Sequence, residues 1–306
     1  MTIRLFIDGA AGTTGLEIRE RLQGREEFDL IVLGDAERKD ETARRDAIHA
    51  ADIAILCLPD EAAKEAVKLA EGSDTRIIDA SSAHRVADGW TYGFPELIGH
   101  DAIANARFVS NPGCYPTGFL ALVAPLVRAG RLPENWAYTV NAVSGFSGGG
   151  NALIDRFDTE PDIAFRAYGL SLGHKHLAEM QRYAGLKHAP VFSPAVIPAH
   201  RGMIVDVPLS LDVIGGEGSQ TLRDELTATY ANSRVVKVNS EPASELLLRK
   251  SAEPWDGMEL FVFGSPDDSQ ARLVAHLDNL GKGASGAAIQ NLNIMCGLPE
   301  TTGLRL

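Results

Sequence analysis

An apolar run over residues 3–7 stops at Gly9-Ala10-Ala11-Gly12-Thr13-Thr14-Gly15, and an amphipathic stretch through about Leu22 follows. A strand, a glycine turn and a helix in that order open a βαβ unit, which points to a parallel sheet covered by helices. Each glycine has its own task in such a turn. Gly9 permits the tight bend, Gly12 lets the backbone approach a pyrophosphate, and Gly15 lets the helix pack closely on the sheet. The helix N-terminus then supplies N–H donors to the phosphates. The spacing is GxxGxxG rather than GxGxxG, so a glycine turn without a ligand is the competing reading. Asp35, 20 residues beyond Gly15, would favour NAD by bonding the ribose hydroxyl, whereas Arg38 and Lys39 suit a 2′-phosphate. Residue chemistry alone leaves both open.

The same alternation continues through the first third. Residues 30–33, 53–58, 76–78 and 108–109 read as short strands, and 60–71 as a helix with Ala62, Ala63, Ala66, Val67 and Ala70 on one face. This predicts an α/β fold with a Rossmann-like, doubly wound parallel sheet. The pattern changes after Pro112. A helix over 119–127 leads into strand-like runs at 136–143, 204–211, 235–238, 260–263 and 273–276, which predicts a mixed, largely antiparallel sheet. A helix over about 284–296 closes the chain. A length of 306 residues suits two such domains.

Composition narrows the partners. Hydrophobic residues make up 45% and charged residues 23%, as in ordinary globular proteins. The net charge is −12 without a basic tract, which argues against nucleic acid, since phosphate neutralisation needs clustered Lys and Arg. A small anionic substrate stays compatible, because local groups outweigh global charge at contact distance. No apolar run approaches the roughly 20 residues that span a bilayer, and the first residues lack a signal-peptide pattern. No membrane partner and a cytoplasmic location are therefore expected. Cys57, Cys114 and Cys296 are widely spaced and fit no metal-ligand pattern, so no metal is expected.

One cysteine stands out. Cys114 lies in Ser110-Asn111-Pro112-Gly113-Cys114-Tyr115-Pro116-Thr117-Gly118, between a strand end and a helix start. Helical N–H groups aimed at its sulfur would favour the thiolate. Cys57 and Cys296 sit in apolar segments and read as packed, inert thiols. A base for the thiolate is offered by Gly173-His174-Lys175-His176-Leu177-Ala178-Glu179. On extended backbone, His174 and His176 would point to the same side and face one cavity. Zinc is the rival use of the pair, but no third ligand stands nearby at a recognisable spacing.

Taken in order, these motifs resemble the short-form N-acetyl-gamma-glutamyl-phosphate reductases of arginine biosynthesis. The resemblance spans essentially the whole chain. It includes the glycine turn, Asp79-Ala80-Ser81-Ser82-Ala83-His84-Arg85, Tyr92-Gly93-Phe94-Pro95-Glu96-Leu97 and Asn111-Pro112-Gly113-Cys114-Tyr115-Pro116-Thr117. Ser144-Gly145-Phe146-Ser147-Gly148-Gly149-Gly150, Gly173-His174-Lys175-His176 and Gln290-Asn291-Leu292-Asn293 complete it.

The resemblance implies NADPH as cofactor, an acyl phosphate as substrate and a homo-oligomer, dimer or tetramer. It implies Cys114 as nucleophile, with His174 and His176 as base and substrate anchor in either order. Gly9, Gly12, Thr13, Thr14, Gly15 and Arg38 would bind the cofactor, together with Ser144, Gly145 and Gly148 of a second glycine loop and Asn291 of the last helix. Arg85, Asn111, Ser147 and Arg201 would bind substrate, the guanidinium forks as anion clamps. The resemblance divides the chain into a dinucleotide-binding domain, 1–113 with 284–306, and an α+β catalytic, substrate and dimerisation domain, 114–283. Two departures stand out: Asn151 where many members carry a basic residue, and Lys175 where many carry arginine. Aspartate-semialdehyde dehydrogenase is the nearest rival, although its cysteine sits in an Asn-Cys-Thr setting. A non-catalytic NADP-binding redox sensor is the rival from another class.

Overall fold

The computed structural model describes residues 2–34, 36–241 and 243–306; Asp35, the acid weighed for NAD, lies outside them. The chain forms two units, Met1–Pro112 with Ala284–Leu304, and Gly113–Gly283 with Arg305–Leu306.

In the first unit β1 (Ile3–Asp8), α1 (Thr13–Leu22), β2 (Phe28–Ile31), α2 (Glu41–Ala50), β3 (Ile53–Leu56), α3 (Asp60–Leu69) and β4 (Arg76–Asp79) alternate. β5 (Thr91–Tyr92), α4 (Pro95–Ile98), α5 (His100–Ala104) and β6 (Phe108–Ser110) follow. The strands pair in parallel in the order β2-β1-β3-β4-β6-β5. Successive residues of one strand feed opposite faces. Leu5, Ile55 and Ile78 join one core cluster, while Phe6, Leu56 and Ile77 join the other. Burial on both faces explains why these strands read as continuous apolar runs rather than alternating ones. The order of connection reverses around β1, so the carboxyl ends of β1 and β3 mark the switch point where such sheets hold ligands.

The second unit begins with α6 (Cys114–Arg128), β7 (Thr139–Gly145), α7 (Asn151–Thr159), β8 (Arg166–Ala167), α8 (Leu177–Ala184), β9 (Val191–Ile197) and β10 (Met203–Ser210). It continues through α9 (Leu211–Ile214), α10 (Ser219–Tyr230), β11 (Val236–Val238), β12 (Met258–Gly264) and β13 (Gln270–Leu277). A π-helical turn, Gly281–Ser285, then precedes α11 (Gly286–Met295), which belongs to the first unit. The sheet runs β11-β12-β13-β10-β7-β9-β8, with β11–β12 and β7–β9 parallel and the other pairs antiparallel. α6 is buried from Tyr115 to Leu126 and packs against β10, β12 and β13. A Cβ on Gly118 would stand 2.7 Å from Val205, so that glycine permits the close approach of α6 to the sheet.

The α/β sheet and the mixed second sheet are both present as expected, with β7 shifted to Thr139–Gly145, β9 added to the expected strands, and further changes of boundary. β2 occupies Phe28–Ile31 rather than 30–33, because its pairing with β1 starts at Ile3↔Phe28. α6 starts at Cys114, five residues before the predicted helix. The last helix is entered through the π turn at Gly281. Among the described residues no helix is long and apolar enough to cross a membrane.

Candidate active site

Two places carry chemistry, one in each unit. In the first, the glycine turn joins β1 to α1. Gly9 adopts φ +86°, and a Cβ there would overlap the carbonyl oxygen of Cys57. A Cβ on Gly15 would come within 2.5 Å of the Gly9 carbonyl oxygen, so both positions need bare backbone. Gly12 differs: the nearest atom to a Cβ there is 3.6 Å away, an ordinary contact, so the fold itself does not require a bare backbone. Gly12 is the N-cap of α1 and carries no side-chain cap, while Thr13 and Thr14 are the first helical residues.

Over this turn lies a cavity of about 500 Å³, walled by Gly9 to Gly12, by Leu30 to Leu33 at the end of β2 and by Cys57 to Pro59 at the end of β3. Arg19, Arg38 and Lys39 also line it. The cradle suits a dinucleotide: open backbone and a helix N-terminus for the pyrophosphate, apolar walls for the base, and cations for an additional phosphate. Sequence reasoning named Arg38 and missed Arg19, which stands one turn beyond Gly15 on α1. At the rim, Asp8 is paired with Arg44 at 2.8 Å.

The remaining candidates of this unit are packed into its frame. Asn111 is buried; its N–H donates to Asp79 O (2.7 Å), its carbonyl accepts from Arg85 Nε (3.0 Å) and its Nδ2 donates to Ala284 O (3.0 Å). Its Oδ1 accepts from Asn291 Nδ2 (3.1 Å), which also donates to Gly93 O (2.9 Å). Arg85 additionally reaches Ala80 O at 3.3 Å. The three side chains expected to touch substrate or cofactor thus fix the backbone three residues before Cys114.

In the second unit Cys114 is the first residue of α6, with Gly113 as N-cap. Pro116 is tolerated so close behind because first-turn residues need no intrahelical N–H bond. A cysteine at a helix N-terminus is the position where the helix dipole favours a thiolate. The N–H of Gly113 donates to Oε2 of Glu179 (3.1 Å), a carboxylate only 1% exposed. Oε1 of the same carboxylate lies 4.0 Å from Nε2 of His176.

The two histidines come together, though by another route than expected. Residues 175–176 form a turn, and His176 is the helical N-cap of α8, so the segment is not extended. The backbone N–H of His176 donates to His174 Nδ1 (3.1 Å), and the ring centroids are 4.6 Å apart. Aromatic rings surround them: Tyr168 and Phe192 at 5.6 and 5.1 Å from His174, Tyr115 at 5.9 Å from His176. Burial pushes the Tyr168 hydroxyl up to about 12, so it stays a neutral donor at physiological pH. Lys175 is exposed, as is Asn151 at the start of α7. Among the described residues no group of three or more His, Cys, Asp or Glu could hold a metal ion.

The second glycine loop is braced from beneath. Ser144, the residue before the last of β7, is buried, and a Cβ on Gly145 would stand 2.7 Å from His200 O. Ser147 donates to His200 O and accepts from Asn279 Nδ2 (2.9 Å), while a Cβ on Gly148 would lie 3.3 Å from the same Nδ2. Arg201 pairs with Asp278 at 2.8 Å. Glu179, Tyr168 and Asp278 were not among the sequence candidates. Glu179 alone had a local signal, lying three residues after His176 where a helix would stack them.

Comparison with known proteins agrees with this architecture. Residues 4–106 match the family described as semialdehyde dehydrogenase, NAD binding domain, and residues 114–279 that described as semialdehyde dehydrogenase, dimerisation domain. N-acetyl-gamma-glutamyl-phosphate reductase 2 of Nostoc sp. is 46% identical over 98% of this chain and 99% of its own. The N-acetyl-gamma-glutamyl-phosphate reductase of Brucella ovis is 50% identical over 97% of this chain and all of its own. Among solved structures, aspartate semialdehyde dehydrogenase II of Vibrio cholerae superposes with a TM-score of 0.73 at 19% identity, covering 97% of this chain and 99% of that one, which shows a shared fold. By these full-length identities the chain belongs to the N-acetyl-gamma-glutamyl-phosphate reductase family, within the semialdehyde dehydrogenases.

Proposed function

We propose that this chain reduces N-acetyl-gamma-glutamyl phosphate to N-acetylglutamate 5-semialdehyde, releasing phosphate, through a thioester on Cys114 in arginine biosynthesis. The observation that carries the reading is the position of Cys114 at the head of α6, next to a residue whose N–H is held by the same carboxylate that faces His176.

The Cys114 thiolate attacks the acyl carbon; an S–C bond forms, the C–O bond to phosphate breaks, and phosphate leaves with the electron pair. Donors fixed around the carbonyl oxygen stabilise the tetrahedral oxyanion, a task suited to the N-terminal N–H groups of α6 and to the Tyr168 hydroxyl. The Gly9–Gly15 turn, with Arg19, Arg38 and Lys39, would hold NADPH, which would supply the hydride that reduces the thioester. Cys114 then departs as thiolate while the aldehyde forms. His176, whose Nε2 faces the Glu179 carboxylate, holds the proton that thiolate formation releases, while its backbone N–H fixes the His174 ring. Arg201 holds an anionic end of the substrate. The second unit serves as the surface for a homodimer, and the enzyme works in the cytoplasm.

The reaction is tested in reverse, with N-acetylglutamate semialdehyde, phosphate and NADP+, following NADPH absorbance. Phosphate-dependent NADPH formation is expected, with a loss of at least about 10³-fold in Cys114→Ser. Aspartate semialdehyde used in preference would move the chain to the other substrate. No turnover by a folded, cofactor-binding protein would defeat the reading altogether.

A further inference from the structure

Beside Cys114 the second unit builds a wall that the chemistry above does not call for. Gly283, in the π turn, lies directly against the cysteine: a Cβ there would stand 2.9 Å from the Cβ and 3.4 Å from the Cα of Cys114. The N–H of Gly283 donates to the backbone oxygen of Asp278 at 3.0 Å. Gly281 is bare for a similar reason, since a Cβ there would overlap the carbonyl oxygen of Trp255. Single π turns are rare and strained elements that tend to persist where a function needs them.

Asp278 ties this wall to the proposed anion clamp. Its side chain is buried; Oδ2 accepts from Arg201 Nη1 (2.8 Å) and from the Trp255 N–H (3.3 Å), and Oδ1 accepts from the Leu280 N–H (2.9 Å). A buried carboxylate must be paired, so the Arg201 contact is compulsory rather than optional. One residue therefore holds the guanidinium with its side chain and, with its backbone oxygen, the turn that lies beside Cys114.

Resting on the reading of Cys114 as nucleophile, we propose that Asp278 and Gly283 are positioning residues for the reaction. Asp278 registers the substrate-holding Arg201 to the turn, and Gly283 fixes the Cys114 side chain by closing one side of it. Asp278 and Gly283 belong to the second unit and the glycine turn to the first, so cofactor affinity gives an internal control.

Two variants separate the two tasks in the full-length enzyme. Asp278→Asn keeps the shape and an acceptor for Leu280 but removes the charge from Arg201. Its KM for N-acetylglutamate semialdehyde is expected to rise about tenfold, with the KM for NADP+ unchanged. Gly283→Ala pushes on the Cys114 Cβ, and misplacement by about 1 Å is expected to lower kcat about 10²-fold while the substrate KM changes little. The rate of Cys114 alkylation by iodoacetamide, which needs no substrate, should change in Gly283→Ala and stay at the parent value in Asp278→Asn.

Cys114→Ser is run beside them. If it keeps turnover, the nucleophile reading falls and this inference with it. If it is inactive while both variants stay within about twofold of the parent in kcat, KM and alkylation, the positioning roles alone are overturned. Should Gly283→Ala fail to fold, Asp278→Asn decides by itself. A rise confined to the semialdehyde KM supports the proposal, whereas a uniform loss together with weakened NADP+ binding marks a merely structural residue.

Discussion

Three cysteines of one chain are placed in three different electrostatic settings, and their reactivities should differ accordingly. Desolvation, with the Asp79 and Asp8 carboxylates nearby, pushes the Cys57 thiol up to about 12. Burial pushes Cys296 up to about 11, although Arg76 and Arg25 pull in the opposite direction. Both shifts disfavour the thiolate, so at pH 8 both thiols stay protonated. Cys114 has instead the N-terminus of a long helix beside it. Iodoacetamide at pH 8 is therefore expected to modify Cys114 alone in the folded protein, with Cys57 and Cys296 reacting only after denaturation. Peptide mapping by mass spectrometry reads this directly. Equal labelling of Cys57 and Cys114 in the native state would mean that local setting does not govern reactivity here. The contrast was partly legible beforehand, because apolar neighbours around Cys57 and Cys296 are visible in the sequence. Glu179 was not singled out, since its role depends on where α8 begins.

At the scale of elements, the β1–α1 turn makes a prediction that separates fold from function. Gly12→Ala meets no atom closer than 3.6 Å and has an ordinary φ of −80°, so the turn accepts it. If the turn holds the pyrophosphate as proposed, that methyl stands on the surface the phosphates would approach, and affinity for NADP+ should fall about tenfold or more with little change in Tm. Gly15→Ala brings a methyl within 2.5 Å of the Gly9 carbonyl, so α1 must shift and both Tm and affinity should fall. Thermal denaturation and fluorescence titration distinguish the pair; equal thermal losses in both would contradict the room for a methyl at Gly12. This turn could be read from sequence because its demands are local: each glycine answers to backbone a few residues away. The start of α6 could not. Tyr115-Pro116-Thr117-Gly118 have weak helix propensity, and the apolar pattern only begins at Phe119, yet the tertiary setting extends the helix to Cys114. The His-Lys-His element misled in the same way, since its pairing comes from a helix cap rather than from strand periodicity. Asp278 has no local signal, as its partner Arg201 lies 77 residues away, and Gly283 reads in sequence only as part of a glycine-rich patch, 281–286, whose partner Cys114 is 169 residues away.

On the scale of the whole molecule, the first unit is closed by a helix from the far end of the chain. Ile289, Leu292, Ile294 and Met295 of α11 are buried in the same cluster as Leu5, Ile18, Ile55 and Ile78. At about 1.5–3 kcal/mol for each large apolar side chain, these four contribute about 6–12 kcal/mol. That is comparable to the roughly 5–15 kcal/mol by which a whole domain is stable. Polar contacts add to the dependence, since Asn291 bridges Gly93 and Asn111, and Asn293 Oδ1 accepts from Arg25 at 3.1 Å. A fragment of residues 1–112 holds the entire parallel sheet and the glycine turn, yet it should show no cooperative urea transition and no NADP+ binding. The two chain ends that a repair must join are adjacent, because Asn111 Nδ2 already bonds Ala284 O at 3.0 Å. A short Gly/Ser linker from 112 to 284, ending at 304, should therefore restore both the transition and the binding. Cooperative unfolding of 1–112 alone, with cofactor affinity intact, would show that the sheet is self-sufficient and that α11 is an accessory. Failure of the linked chain would instead mean that the first unit depends on more than α11.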